Sequence, residues 1–231
     1  QFTSAISPLD LMKSSKTKRE TWRILGNFYL KFDILKGLDF KTTFSPNYTS
    51  YRHGYFDGYV NPVTGNAYRD DTNGYDGKAK INQANVTDYR NFSWTWDNVI
   101  TYNTTIAKDH NLNLMGLFSM EKGNTENNYW AATNVMEGTD WWNMNTGTYD
   151  GDNSKTSYSE SSMISYALRA NYNWKNRYYL TGTVRWDGSS KFAEGNRWGC
   201  FPSVAVAWRA SEEEFIKKVD WISNLRIRAS Y

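Results

Sequence analysis

The sequence predicts an all-β protein, an antiparallel transmembrane β-barrel of about eight strands with long extracellular loops, and three observations carry that prediction. Apolar and polar residues alternate strictly over repeated segments, as they do in a strand with one apolar face. Those segments mostly run about 10 to 13 residues, against about five or six for soluble strands and roughly 9–11 for a tilted membrane strand. The connections between them alternate between about three and about 40 residues, which fits the short periplasmic turns and long extracellular loops of outer-membrane barrels. The composition agrees. The 231 residues are 39% hydrophobic and 17% aromatic, with 11 Trp and 17 Tyr, yet the mean hydropathy is −0.74. A barrel tolerates so polar an average because only every second strand residue meets lipid. No apolar run approaches the roughly 20 residues of a membrane helix. A net charge of +3 without a long basic run excludes nucleic acid as a partner. The single Cys200 excludes a disulfide framework and a multi-Cys metal site.

The first strand is expected over Trp22 to Ile34, where Trp22, Ile24, Gly26, Phe28, Leu30, Phe32 and Ile34 alternate with Arg23, Asn27, Lys31 and Asp33. Leu35-Lys36-Gly37 turns the chain, and Leu38, Phe40 and Phe44 complete a hairpin. A second hairpin runs from Phe92 to Ile106, turns through Ala107-Lys108-Asp109, and returns as Leu112, Leu114, Gly116, Phe118 and Met120. The third places Ile164 to Trp174 before Lys175-Asn176-Arg177 and Tyr178 to Trp186 after it. Pro202, Val204, Val206 and Trp208 form the next strand, and Leu225, Ile227, Ala229 and Tyr231 the last. With the short turns in the periplasm, residues 1–21, 48–88, 122–159 and 188–198 become extracellular. Residues 211–223 become periplasmic and carry one turn of helix, for which Ser211 and Glu214 have capping-box spacing.

Neither end carries a boundary signal: no basic segment with an apolar stretch opens the chain, and an alternating run stops at Tyr231, so a piece of a longer protein is expected. The stretch from Tyr178 to Tyr231 supplies the longest ordered motif. Arg185, Asp187, Gly188, Ser189, Ser190 and Phe192 are followed by Asn196, Arg197, Trp198, Gly199, Phe201, Pro202 and Ser203. Trp208, Ser211, Glu212, Glu213, Phe215, Leu225, Arg228, Ala229, Ser230 and Tyr231 continue it. This stretch resembles the C-terminal half of the barrel in SusC/RagA-like TonB-dependent outer-membrane transporters. A weaker match lies in GNFYLKFDILKGLDFKTTF, within residues 22–45. The resemblance implies a parent barrel of about 22 strands around a plug, of which residues 1–231 are a partial barrel domain without plug or TonB-contacting segment. It also implies energised uptake of glycans or peptides in the outer membrane of a Gram-negative, Bacteroidetes-like bacterium. The implied partners are a SusD-like surface lipoprotein acting as lid, a TonB complex working through the missing plug, and outer-membrane lipid. No enzyme activity and no cofactor are implied.

Side chains that carry chemistry are sparse. His53 falls in an expected loop and His110 beside a turn, and no H-E-x-x-H, C-x-x-C, G-x-S-x-G or phosphate-binding glycine loop is present. Asp70, Asp71, Asn73 and Asp76, and again Asp150, Asp152 and Asn153, are oxygen-rich but lack EF-hand spacing, and turn chemistry accounts for them. Cys200 reads as a buried or lipid-facing thiol. The candidates for contact with ligand or partner are the loop aromatics Tyr129, Trp130, Trp141, Trp142 and Tyr149, flat rings with polar edges set among Asn, Thr and Gly outside any expected strand. Trp174, Tyr178, Tyr179 and Trp208 lie near strand ends and read as an interfacial girdle. Two other architectures share the alternation. One is a complete eight-strand barrel serving as anchor or adhesin; the other is a soluble carbohydrate-binding β-domain whose strands a second sheet would bury.

Overall fold

A computed structural model describes residues 15–58, 82–136, 138–219 and 221–231. Among the described residues ten strands make one sheet: β1 (Ser15–Leu25), β2 (Phe28–Leu35), β3 (Leu38–Asp57), β4 (Gln83–Ile106), β5 (His110–Thr133), β6 (Thr148–Tyr149), β7 (Lys155–Trp174), β8 (Tyr178–Ser189), β9 (Trp198–Trp208) and β10 (Ile227–Ser230). The order is β1-β3-β4-β5-β7-β8-β9-β10, with β2 on β3 and β6 on β5, so the main strands neighbour one another in chain order and the sheet is open. The antiparallel turns are tight. Ala107 and Lys108 have φ of 49° and 65°, and Lys175 and Asn176 have 52° and 53°, the left-handed geometry that matches hairpin twist. No helix among the described residues is long and apolar enough to cross a membrane.

The expected strand over Trp22–Ile34 is interrupted: β1 ends at Leu25 and β2 begins at Phe28. Gly26 N–H donates to the Pro46 carbonyl at 2.9 Å, but Pro46 has no N–H to return the bond, so the ladder is broken there. Asn27 Nδ2 bridges the gap to Ser45 Oγ at 2.9 Å. The last strand is shorter than expected, Ile227–Ser230 instead of Leu225–Tyr231, while the strands between are longer than alternation predicts. β4 and β5 have 24 residues each and β3 and β7 have 20, so they continue into the segments 48–88 and 122–159 expected as loops, and β1 likewise enters 1–21. Backbone pairing persists where neither face is uniformly apolar, and a membrane crossing needs only roughly 9–11 residues. The β5–β7 connection therefore shrinks to residues 134–154.

The chain divides into two compact units. The first comprises Gln1–Ile24, Asn47–Phe92 and Asn124–Ser159. Its core is Phe56, Ala84, Val86, Ala132, Val135 and Trp141, with Met144 packed against it. Asn82 holds the chain where it leaves β5: its Nδ2 donates to the Val135 carbonyl and its Oδ1 accepts from the Val135 N–H, both at 2.7 Å. Both amide functions of this fully buried side chain are thereby satisfied, as burial requires.

The second unit comprises Leu25–Pro46, Ser93–Gly123 and Glu160–Tyr231, and its register separates two faces. On one face the rows are Tyr166–Trp186–Cys200, Leu168–Val184–Pro202, Ala170–Gly182–Val204, Tyr172–Leu180–Val206–Ala229 and Trp174–Tyr178–Trp208–Ile227. On the other they are Ser165–Asp187–Gly199, Arg169–Thr183–Ser203 and Asn171–Thr181–Ala205–Ser230. The first face is apolar and uncovered: Leu168 is 57% exposed, Val206 50% and Ile227 53%. A contiguous apolar surface of this extent marks a face that meets another apolar phase. Cys200 is exposed on it beside Trp186. Trp174, Tyr178 and Trp208 close the same face as one row, the Trp174 and Tyr178 rings stacked at 5.3 Å. Tyr179 does not belong to that row. It pairs with Asn173 and Ala207, one residue out of phase, and stands on the polar face.

A short 3-10 turn (Ala210–Glu212) and a single helical turn, α1 (Glu214–Lys217), follow β9. The expected capping box does not form. The N-cap is Glu213, no side chain caps the helix, and Ser211 is buried with its N–H on the Leu225 carbonyl at 3.1 Å. Glu213 instead accepts from Tyr178 Oη at 2.6 Å and from Trp208 Nε1 and Arg177 Nη1 at 3.2 Å each. The phenol hydrogen bond foremost, then those of Trp208 and Arg177, hold this carboxyl below the usual range.

Candidate functional site

The five aromatics singled out from the sequence lie in the first unit but do not form one cluster. Tyr129 and Trp130 are part of β5 and Tyr149 of β6, not of a loop. Tyr149 pairs with Ala132, so alternation sets Trp130 on the Tyr149 side and Tyr129 on the other. Tyr149 is 66% exposed and Trp130 37%, while Tyr129 is half-buried, and burial pushes its phenol above the usual value with help from the Asp150 charge. Of the five, only Trp141 and Trp142 lie outside a strand.

Those two neighbours have opposite environments. Trp141 is buried in the core, and its indole lies against the backbone of Gly54, where a Cβ would collide with the ring. Trp142 is 56% exposed, its ring 5.8 Å from Trp141. Lys18 Nζ stands 5.8 Å and the Arg52 guanidinium 5.5 Å from the Trp142 ring centre, within cation–π range. Lys16 pairs with Asp140 at 2.9 Å and Lys18 with Glu20 at 2.6 Å. Sequence reading passed over Lys18 and Arg52. The available signal was Lys18 in phase with Trp22 and Ile24 on one strand and Arg52 in phase with Phe40 and Phe44 on another.

The histidines are held structurally. His53 lies within β3 rather than a loop, and its Nε2 is 2.9 Å from Thr17 Oγ1. Burial foremost, and then the Arg19 charge, lower its proton affinity. His110 opens β5, stacks on Tyr172 and Trp174, and sets Nδ1 2.6 Å from Tyr172 Oη. Asp150 accepts from the Asn153 N–H at 3.2 Å and Nδ2 at 2.7 Å, a turn motif. The Asp70, Asp71, Asn73 and Asp76 cluster lies outside the described residues.

The second unit has a polar feature of its own. Asn113 Nδ2 donates to Asn103 Oδ1 at 2.7 Å, Asn171 Nδ2 to Asn113 Oδ1 at 2.9 Å, and Thr181 Oγ1 to Asn171 Oδ1 at 2.9 Å. This ladder crosses β4, β5, β7 and β8 and lines a cavity shared with Lys36, Tyr172 and Tyr179. Farther along the same face Arg185 Nε bonds both Asp187 carboxylate oxygens at 2.8 Å, and its Nη2 reaches Ser165 Oγ at 3.1 Å. Such a face suits water and polar protein surface.

No family model matches the chain. Curated relatives do. TonB-dependent receptor P3 of Formosa agariphila is 32% identical over 227 residues, covering 97% of this chain and 21% of the receptor. TonB-dependent receptor SusC of Bacteroides thetaiotaomicron is 38% identical over 108 residues, covering 46% of this chain and 11% of SusC. Among solved structures, that of the RagAB peptide transporter superposes with a TM-score of 0.81 at 20% identity, over 100% of this chain and 25% of that one. The RagAB peptide importer in the open-open state gives 0.83, again at 20% identity and over the whole of this chain. This chain is a SusC/RagA-like β-barrel segment. It spans about a fifth of the length of the curated receptors it matches most fully. The open order from β1 to β10 is accordingly a portion of a SusC/RagA-like barrel, and its apolar and polar faces are the two sides of that barrel's wall.

Proposed function

We propose that this segment is part of the wall of an outer-membrane active importer. The observation that carries the proposal is the register of the second unit, an uncovered apolar face backed by a polar one, in a chain related to TonB-dependent receptors. In that reading residues 1–231 belong to the barrel domain, the apolar face meets lipid, and the amide ladder faces the lumen. The 35–37, 107–109 and 175–177 turns lie in the periplasm, and the long extensions of β3, β4, β5 and β7 rise outside the cell. The membrane is the outer membrane of a Gram-negative, Bacteroidetes-like bacterium. Cargo is a glycan or a peptide. The naming of RagAB as a peptide transporter supports the second, and the kinship with SusC supports a SusD-like surface lipoprotein as lid. Energy comes from a TonB complex acting on a plug domain.

Trp130 and Tyr149 are the exposed aromatics on one side of the β5–β6 pair, and they contact the lipoprotein or the cargo. Trp and Tyr are the residues over-represented among the few contact residues that cost about 2 kcal/mol or more when truncated. Replacing both by Ala in a full-length receptor carrying this segment is therefore expected to weaken lipoprotein co-purification or uptake by at least about 30-fold, the effect of one such residue at about 1.4 kcal/mol per tenfold. Barrel assembly should stay intact. Normal uptake and normal co-purification together would remove these residues from the contact.

A further inference from the structure

In the first unit three side-chain contacts fix which residues of β1 and β3 share a face. Ser15 Oγ donates to Asp57 Oδ1 at 3.1 Å, Thr17 Oγ1 lies 2.9 Å from His53 Nε2, and Arg23 Nε reaches Thr49 Oγ1 at 3.5 Å. Odd residues therefore meet on one side, and even residues occupy the other. On the even side of β1 the order is Ile24, Trp22, Glu20, Lys18, Lys16. Ile24 and Trp22 are 64% and 72% exposed. Beyond them the surface turns charged within a few residues, and Arg52 and Trp142 join it from β3 and the β5–β7 connection.

An apolar residue, then a Trp, then Lys and Arg is the sequence of chemistries across a membrane interface from hydrocarbon to phosphate. Lys18 is about 13 Å along the strand from Trp22 at roughly 3.3 Å per residue. The cations are held but not consumed. Among the described residues the carboxylates facing them are Glu20, which pairs with Lys18 and also faces Arg52, and Asp140 on Lys16, and the Lys18–Glu20 pair is half exposed at both ends. Exposed pairs of this kind contribute little, so Lys18 can exchange Glu20 for a phosphate oxygen at small cost. Among the described residues, three cations (Lys16, Lys18 and Arg52) against two carboxylates (Glu20 and Asp140) leave the patch positive. The Trp142 ring lies within cation–π range of both Lys18 and Arg52, and Trp141, buried against Gly54, fixes the place of Trp142.

We propose that Lys18, Arg52 and Trp142 form a binding site for the phosphate of an anionic lipid headgroup in the leaflet next to Trp22. The proposal rests on the membrane-barrel reading of this chain. Its ligand is lipid-borne phosphate rather than free phosphate, because the site adjoins the exposed Trp22 and Ile24.

The test uses a full-length receptor carrying this segment, purified in detergent after its heat-modifiable folding has been checked. Short-chain phosphatidic acid, short-chain phosphatidylcholine and inorganic phosphate are added separately, and bound molecules are counted by native mass spectrometry. Phosphatidic acid should be retained in preference to phosphatidylcholine. The double variant Lys18→Gln, Arg52→Gln should weaken that retention by about 25-fold, from roughly fivefold for each cation near a membrane surface. Lys108→Gln, in the turn between β4 and β5, should leave it unchanged. Inorganic phosphate at equal concentration should not compete. Equal retention of the two lipids, an unchanged double variant, or full competition by inorganic phosphate would overturn the site while leaving the barrel in place. A wild-type receptor that shows no heat-modifiable barrel would overturn the barrel reading, and the site with it.

Discussion

Leu30→Arg is expected to reduce the folded fraction of a full-length receptor carrying this segment sharply, whereas Lys31→Gln, at nearly the same depth in β2, leaves it close to unchanged. Leu30 is 61% exposed on the side it shares with Phe28 and Phe32. An arginine near the bilayer midplane on the lipid face of a barrel costs about 2–4 kcal/mol. Lys31 stands opposite Lys41 on the other side and pairs with Asp33 at 3.2 Å and Asp39 at 3.9 Å. Lys31 and Asp33 are exposed and Asp39 is half-buried at the long distance of 3.9 Å, so removing the pairs costs about 1 kcal/mol. The same contrast is expected on β9. Val206 sits between Leu180 and Ala229, while Ala205 sits between Thr181 and Ser230. Val206→Arg should therefore lose folded barrel and Ala205→Arg should lose much less. Heat-modifiable migration after expression reads both pairs. Equal losses within each pair would mean that both sides are buried in protein.

The second large effect concerns the fold of the β5–β7 connection. Trp141→Ala is expected to cost about 3–5 kcal/mol of local stability, the usual range for truncating a buried aromatic. Gly54→Ala should cost about 1–3 kcal/mol, because the new methyl occupies space taken by the Trp141 indole and the ring has to move. Trp142→Ala, on the exposed side, should cost less than about 1 kcal/mol. The double variant of Gly54→Ala with Trp141→Ala should be no worse than Trp141→Ala alone, since the ring that clashes is gone. Chymotrypsin cleavage within residues 134–147 measures this local opening. Protection that is unchanged in Gly54→Ala would mean that Trp141 does not close against the β3 backbone.

The readable parts of the fold were those where lipid-facing chemistry leaves a trace in the sequence. From Phe28 to Phe32, from Tyr166 to Trp174 and from Tyr178 to Trp186, every second residue is apolar or glycine, and the register bears out that phase. The stretch from Tyr48 to Asp57, and that from Glu121 to Thr133, gave no such signal because neither face is uniformly apolar, yet the backbone goes on pairing there. The break at Gly26 was hidden because its cause, Pro46, lies on the partner strand. Ser211 and Glu214 had the right spacing for a cap. Glu213 took a different role because folding brings Tyr178, Trp208 and Arg177 to it. Trp141 and Trp142 were indistinguishable as sequence neighbours, and only the closeness of Gly54 makes one core and the other surface. The amide ladder needed four strands in register before Asn103, Asn113, Asn171 and Thr181 could be seen to meet.

The most direct measurement of the barrel-wall reading is a nitroxide scan of positions 28–34 and 202–208, one cysteine at a time with Cys200 replaced by Ser, in a full-length receptor reconstituted into lipid. Relaxation by oxygen, which concentrates in the bilayer, is compared with relaxation by a water-soluble nickel chelate. A period of two is expected in both stretches, with oxygen dominant at Phe28, Leu30, Phe32, Ile34, Val204 and Val206. The chelate, or neither reagent, should dominate at Tyr29, Lys31, Asp33, Ser203 and Ala205. Accessibility without alternation, or oxygen dominant at the odd positions, would contradict the assignment of the apolar face to lipid.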